Sequence, residues 1–241
     1  MYALFKHEDA AGPDGSGTPP GRESSHMRKI GLVVAAVAGI AFAGAARAQV
    51  TLDLKVGYAI PTGNGGAAAP MSDTWGGAIP LGIDALYRFT PNLSAGVFFQ
   101  WNPAFAASGF CAREFGATAT CSGSDMRVGI LVAYAFLPQG SFNPWVSLGT
   151  GWEWTNMSAK LPGGTAGATF SGWEYLNLQA GVDFPLARIF AIGPYIGYSG
   201  GTFTSMTGTG NNSGMGTVTI ESANRAFHGW LQFGVKGTLN L

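Results

Sequence analysis

The chain has 241 residues and equal counts of Lys plus Arg and of Asp plus Glu, 13 each, but only 11% of its residues are charged, against about 25% in an ordinary soluble domain. A surface this size facing water on all sides would need more charge, and the eight Lys or Arg against nine Asp or Glu from Gln49 onward leave no basic field for a phosphate backbone, so nucleic acid is excluded as an expected partner. The longest apolar run, residues 30–46, lies near the N-terminus, and nothing after it approaches the ~20 apolar residues that a membrane helix requires.

That run reads as a secretory signal over residues 27–48. Met27 is followed by Arg28 and Lys29, then by apolar residues from Gly31, and the segment closes on the small-x-small site Ala46-Arg47-Ala48. Residues 1–26 resemble neither a signal nor a packed element. They read as an extension from a start placed upstream of Met27, with a genuine cytoplasmic leader as the alternative. The mature chain is expected to begin at Gln49.

From there the dominant signal is period-two alternation, which recurs eight times. Leu52, Leu54, Val56, Tyr58 and Ile60 share one face of the first segment, opposite Asp53, Lys55, Gly57 and Ala59. Ile79, Leu81, Ile83, Tyr87 and Phe89 oppose Gly82, Asp84, Leu86 and Arg88 in the second. Val97, Phe99 and Trp101 oppose Gly96, Phe98 and Gln100 in the third. The fourth sets Val128, Ile130, Val132, Tyr134 and Phe136 against Arg127, Gly129 and Leu131. The fifth sets Val146, Leu148, Trp152 and Trp154 against Ser147, Gly149, Gly151 and Glu153. Leu176, Leu178, Val182 and Phe184 oppose Asn177, Gln179, Gly181 and Asp183 in the sixth. Ile192, Pro194, Ile196 and Tyr198 oppose Gly193, Tyr195 and Gly197 in the seventh. The last places Leu231, Phe233, Val235 and Leu239 against Trp230, Gln232, Gly234, Lys236 and Thr238.

Connections alternate as well. Residues 90–92, 137–143 and 185–188 are short, whereas 61–74, 102–125, 155–169 and 200–224 are long. Short periplasmic turns and long extracellular loops belong to a transmembrane barrel. The predicted fold is therefore all-β: an eight-stranded antiparallel up-and-down transmembrane β-barrel over Gln49–Leu241, with both mature termini periplasmic. Pro194 cannot donate to a ladder, so a bulge or a missing bond is expected beside it.

Three observations turn the apolar face outward. The opposite face is small and carries few charges. Aromatic residues collect at strand ends, with Tyr87, Phe89, Tyr134, Phe136 and Phe184 near the short turns and Tyr58, Trp75, Trp101, Trp152, Trp154 and Tyr198 near the long loops, as at two membrane interfaces. The strand charges Asp53, Lys55, Asp84, Arg88, Arg127, Glu153, Asp183 and Lys236 all share the small-residue face, where they are spared the about 2–4 kcal/mol that a Lys or Arg costs on the lipid face at mid-bilayer. This lumen network either holds a filled interior together or lines a polar path, the first being favoured.

The pattern resembles the small outer-membrane β-barrel family typified by the transmembrane domain of outer-membrane protein A. The resemblance rests on the strand end Leu86-Tyr87-Arg88-Phe89, the strand Gly193-Pro194-Tyr195-Ile196-Gly197-Tyr198 and the terminal strand from Phe233 to Leu241. It implies residence in the bacterial outer membrane, contact with outer-membrane lipids including lipopolysaccharide, recognition by the barrel-assembly machinery, and no cofactor. No periplasmic peptidoglycan-binding domain is expected after the barrel.

Cys111 and Cys121 share one long loop behind a secretion signal, so a disulfide is favoured over a free pair or a metal site, which would need more ligands. His228 is the one histidine after Gln49 and sits near the extracellular end of its strand. Barrel enzymes that act on acyl chains pair a His with a nearby Ser, whereas here Trp230 stands two residues on, so a surface or interfacial role is expected and no catalytic residue is assigned. The Gly-rich stretch 208–216 lacks the Lys and helix of a phosphate cradle. The expected function is non-enzymatic, structural or surface-interacting, with an extracellular ligand at the loops. The alternative is a narrow conduit for small solutes or small hydrophobic molecules, as in relatives of outer-membrane protein W. An eight-stranded interior is just wide enough to be filled by side chains, though the many lumen glycines favour the conduit slightly.

Overall fold

The computed structural model describes residues 50–66, 69–210 and 217–241. The readings of residues 1–26, of the signal 27–48 and of the glycine-rich stretch beyond residue 210 lie outside them. Among the described residues there are eleven strands: β1 (Val50–Gly66), β2 (Ala69–Pro70), β3 (Trp75–Ala78), β4 (Leu81–Arg88), β5 (Leu93–Ala106), β6 (Thr120–Ala135), β7 (Asn143–Leu161), β8 (Gly164–Pro185), β9 (Phe190–Gly210), β10 (Thr217–Thr219) and β11 (Phe227–Asn240). Two short helices, α1 (Met71–Thr74) and α2 (Phe110–Phe115), sit between them.

Every pairing is antiparallel, and β1 pairs with β4 on one side and β11 on the other, so the sheet closes on itself. β3 and β4 make one wall, interrupted at Ile79 and Pro80 because proline offers no N–H. The backbone still stitches that gap: Ile79 N–H donates to the Pro103 carbonyl at 2.9 Å and Gly57 N–H to the Pro80 carbonyl at 3.2 Å. The ring thus has eight walls and leaves no open edge at membrane depth, as hydrocarbon demands of any sheet that crosses it.

The alternation in the sequence becomes an inside and an outside. Ile130 is 63% exposed, Leu148 56% and Ile196 55%, whereas Arg127, Ser147 and Tyr195 on the same strands are buried. Apolar side chains facing out around a closed ring require lipid, not water. Tyr87, Phe89, Tyr134, Phe136 and Phe184 border the short turns, with edge-on contacts at 5.1 Å between Tyr87 and Phe89 and between Tyr134 and Phe136. Tyr58 and Trp101, exposed, and Trp152, Trp154 and Tyr198, half-buried, mark the other rim. Trp75 departs from this girdle. It is buried, because a bulge between Trp75 and Gly77 against β5 reverses the inside-outside phase and turns the indole inward.

The segments expected as long loops are largely strand. The 155–169 connection is a continuation of β7 into β8 around a turn at Pro162 and Gly163, and β9 runs on to Gly210, where β10 pairs with it. Ser, Thr and Gly dominate there and carry no apolar alternation, so the pairing is invisible to a periodicity argument. The wall heights differ as a result: β5 has 14 residues and β8 has 22. Towards the short turn that joins them, β8 and β9 pass from the Gly181–Tyr195 pair to the Phe184–Ile192 pair with the intervening pairs skipped and the register kept, the interruption expected at Pro194. Cys111 and Cys121 are disulfide-bonded, Cα to Cα 5.6 Å, and tie α2 to the start of β6.

One bulge matters for the interior. Opposite β7 the register runs from Gly149–Asn177 to Gly151–Glu174, and opposite β9 from Glu174–Gly201 to Leu176–Gly200. Tyr175 is the extra residue in β8, and it reverses the inside-outside phase there.

Candidate functional site

The lumen is the densest concentration of polar chemistry in the barrel, and it is arranged in two charged tiers. In the lower tier, towards the short turns, Lys236 Nζ lies 3.0 Å from Asp183 Oδ2, 3.5 Å from Asp53 Oδ2 and 3.7 Å from the centre of the Trp145 ring. Trp145 Nε1–H donates to Asp183 Oδ1 at 3.0 Å and Thr238 Oγ1–H to Asp53 Oδ1 at 2.7 Å. Lys55 Nζ donates to Asp84 Oδ2 at 2.7 Å and to Gln179 Oε1 at 2.8 Å.

The upper tier centres on Arg127, which pairs with Asp125 at 2.8 Å and Glu153 at 3.3 Å and donates to Ser199 Oγ. Asn102 and Thr155 donate to the two oxygens of Asp125 at 2.6 and 3.0 Å, and Gln100 bridges to Asn102 and Gln232. His228 Nε2 lies 2.8 Å from Glu153 Oε2. A ladder of amides joins the tiers along β8: Gln179 donates to Asn177 at 2.7 Å, and Asn177 to Glu174 at 2.9 Å. Elsewhere in the lumen, Leu86, Phe98 and Leu131 form a small apolar cluster. Such densely cross-linked polar interiors are costly to break at one point, since a buried charge left alone destabilises by about 3–5 kcal/mol.

Above the upper tier the lumen is closed by an apolar lid. Met71 of α1, Trp75 of β3, Phe110 of α2, Met157, Phe203 and Trp230 pack there with Ala59, Ala78 and Ala104. Below the lower tier a vestibule of about 280 Å³ opens at the short-turn end, lined by Asp53, Asp84, Arg88, Trp145, Asp183 and Lys236 among others.

Seven of the eight expected lumen charges join ion pairs. Arg88 does not: two residues from its turn, it reaches only Thr51 Oγ1 at 3.0 Å and Asn240 Oδ1 at 2.6 Å, and it forms no ion pair among the described residues. His228 also departs from expectation. It is fully buried rather than interfacial, because it continues the inward phase of Gln232 and Trp230. Neither ring nitrogen contacts a hydroxyl among the described residues; Ser199 is engaged by Arg127 and Gln232 instead.

Two carboxylates escaped the sequence reading. Asp125 shares the phase of Arg127 and was legible from it, but fell inside an expected loop. Glu174 is shifted inward by the Tyr175 bulge, which leaves no periodic signal. The lumen glycines do not enclose free space: a Cβ at Gly129 would stand 2.2 Å from the Thr150 carbonyl oxygen and 2.5 Å from the Phe98 ring. They let neighbouring strands and inner side chains approach, and do not widen a conduit.

No family model matches the chain, and no curated protein does. Solved structures do. A major outer membrane protein from Thermus thermophilus aligns at 12% identity over 79% of this chain and 99% of its own, with a TM-score of 0.50. Neisserial surface protein A aligns at 15% identity over 80% and 97%, TM-score 0.43. The outer membrane protein OprG from Pseudomonas aeruginosa aligns at 11% identity over 80% and 97%, TM-score 0.44.

Proposed function

We propose that this chain, which has the fold of the small outer-membrane β-barrels, is a closed, non-enzymatic scaffold of the bacterial outer membrane that presents its tall extracellular wall at the cell surface. The observation that carries this reading is the filled lumen: Arg127, Asp125, Glu153, Trp230 and His228 are each at most 2% exposed, stacked between the lower charge tier and the apolar lid. The interior of an eight-stranded ring is just wide enough for side chains such as these to fill. Both ends of the ring's chain lie at the short-turn side, which supports periplasmic termini. The outward apolar belt supports contact with outer-membrane lipids, and its continuation through Leu231, Phe233 and Val235 of the last strand supports handling by the barrel-assembly machinery. A ligand from outside would meet the strand extensions above the girdle.

The test is ionic conductance of the protein in a planar lipid bilayer, compared with a variant carrying Trp75→Ala and Trp230→Ala. Silence from the unaltered barrel together with conductance steps from the variant supports a plugged lumen. Steps from the unaltered barrel overturn it and favour the conduit, for which the vestibule and the Lys55–Gln179–Asn177–Glu174 ladder would supply the polar half of a path.

A further inference from the structure

Above the girdle, the outer face of the tall wall changes character within a few residues. On β7 the outward side chains run Trp152, Trp154, Asn156, Ser158, Lys160, while Glu153, Thr155, Met157 and Ala159 point in and are buried. Trp152 lies 6.4 Å from Trp154 and 5.9 Å from Trp173 of β8, so three indoles cluster on one patch of the rim. Directly beyond them, a groove of about 370 Å³ spans β6, β7 and β8. Its outward lining is Ser122, Ser124, Asn156, Ser158, Thr165 and Thr169, with no carboxylate among the lining residues. Thr169 Oγ1–H donates to Asn156 Oδ1 at 2.7 Å, which directs the Asn156 amide N–H groups away from that bond. Lys160, exposed at the top of the same row, is in no ion pair among the described residues.

Depth identifies the class of occupant. Indoles gather where hydrocarbon meets headgroups. Strands rise about 3.4 Å per residue and tilt by roughly 40° in such barrels, so Asn156 and Ser158 stand on the order of 5–10 Å above Trp154. That is headgroup depth, since the polar layers add about 5–8 Å to each side of the hydrocarbon core. A groove of hydroxyls and one amide, free of acid and capped by one cation, suits a hydroxyl-bearing and phosphate-bearing headgroup better than a zwitterionic one.

We propose that the Ser122–Asn156–Ser158 groove above the Trp152, Trp154 and Trp173 cluster is a binding site for the sugar headgroup of an outer-leaflet glycolipid, with the acyl chains laid on the apolar belt below and Lys160 reaching a headgroup phosphate. The site rests on the membrane placement proposed above. It concerns the outer face of the barrel and is independent of whether the lumen conducts.

The experiment is native mass spectrometry of the full-length protein taken from vesicles holding equal amounts of lipid A and phosphatidylglycerol. Asn156→Leu, Ser158→Leu and Ser122→Leu each fill the groove from a position facing away from the core. Retained folding of each is checked by the difference in gel migration between boiled and unboiled samples. The expected result is preferential retention of lipid A by the unaltered protein, falling roughly tenfold in the leucine variants, the loss of one or two hydrogen bonds to a charged or polar group, while phosphatidylglycerol adducts stay constant. Lys160→Ala lowers retention of phosphorylated lipid A and leaves the dephosphorylated form unchanged. Equal retention of the two lipids, or unchanged lipid A in folded variants, overturns the groove and leaves the membrane placement intact. Equal binding of a soluble glucosamine disaccharide lacking acyl chains overturns the lipid source. A protein that fails to insert overturns the membrane placement and the groove with it.

Discussion

His228 lies flat against Phe203, ring centres 3.8 Å apart and planes 18° from parallel, while its Nε2 stands 2.8 Å from Glu153. One side chain therefore belongs to both the apolar lid and the upper charge tier. Phe203→Ala removes the ring that covers it and opens a void in the lid, and should cost about 3–5 kcal/mol in urea unfolding from vesicles. His228→Phe keeps a stacked ring but withdraws a partner from Glu153, and should cost about 1–3 kcal/mol. Equal losses in the two variants would refute a division of labour between stacking and hydrogen bonding.

The two arginines of the expected lumen network should separate cleanly. Arg127→Leu leaves Asp125 and Glu153 buried without their cation and should lower stability by about 3–5 kcal/mol. Arg88→Leu loses only hydrogen bonds to Thr51 and Asn240 in a half-buried mouth, and should lose about 1–2 kcal/mol or less. Comparison of unfolding midpoints at constant slope decides the matter.

Gly149 and Gly151 face the lumen, where a Cβ would stand 2.7 Å from the Ile130 carbonyl oxygen and 2.4 Å from that of Val128. Gly149→Leu and Gly151→Leu should therefore act as overpacking, costing about 1–3 kcal/mol each, and should leave a bilayer recording the same as that of the unaltered barrel. A variant of undiminished stability would show that these glycines do border open space.

Reduction of the Cys111–Cys121 bond should loosen α2 without touching the ring. Trypsin cleavage after Arg113, whose side chain is 59% exposed, should accelerate on reduction, while the boiled and unboiled gel positions of the uncut protein stay as they were. The bond closes a short loop and should stabilise by at most about 3 kcal/mol.

Alternation carried the ring, its phase and most of the interior charges, because the expected lumen charges from Asp53 to Lys236 obey the same two-residue period as the apolar belt. It failed where the chemistry leaves lipid. Thr155 to Thr169 pair as strand through backbone bonds that need no apolar face, so Ser, Thr and Gly conceal them. Trp75 reads as girdle by composition, yet the bulge between Trp75 and Gly77 reverses the phase and brings it inside. Glu174 depends on one inserted residue, Tyr175, and a bulge changes phase without changing composition. His228 was within reach: two residues before Trp230 and four before Gln232, its inward phase follows from counting.

The interior pairs also fix when the barrel can be completed. Thr238 of the last strand bonds to Asp53 of the first, 185 residues away in the chain, and Lys236 serves both Asp53 and Asp183. Before β11 docks, those carboxylates have no cation and the edges of β1 and β9 have no partner. Lipid tolerates neither, since each buried ion left alone costs several kcal/mol and each open edge leaves a row of unbonded amides. Charge neutralisation and edge sealing are thus delivered by the same strand. Closure of the ring and neutralisation of Asp53 and Asp183 therefore wait together on the docking of β11.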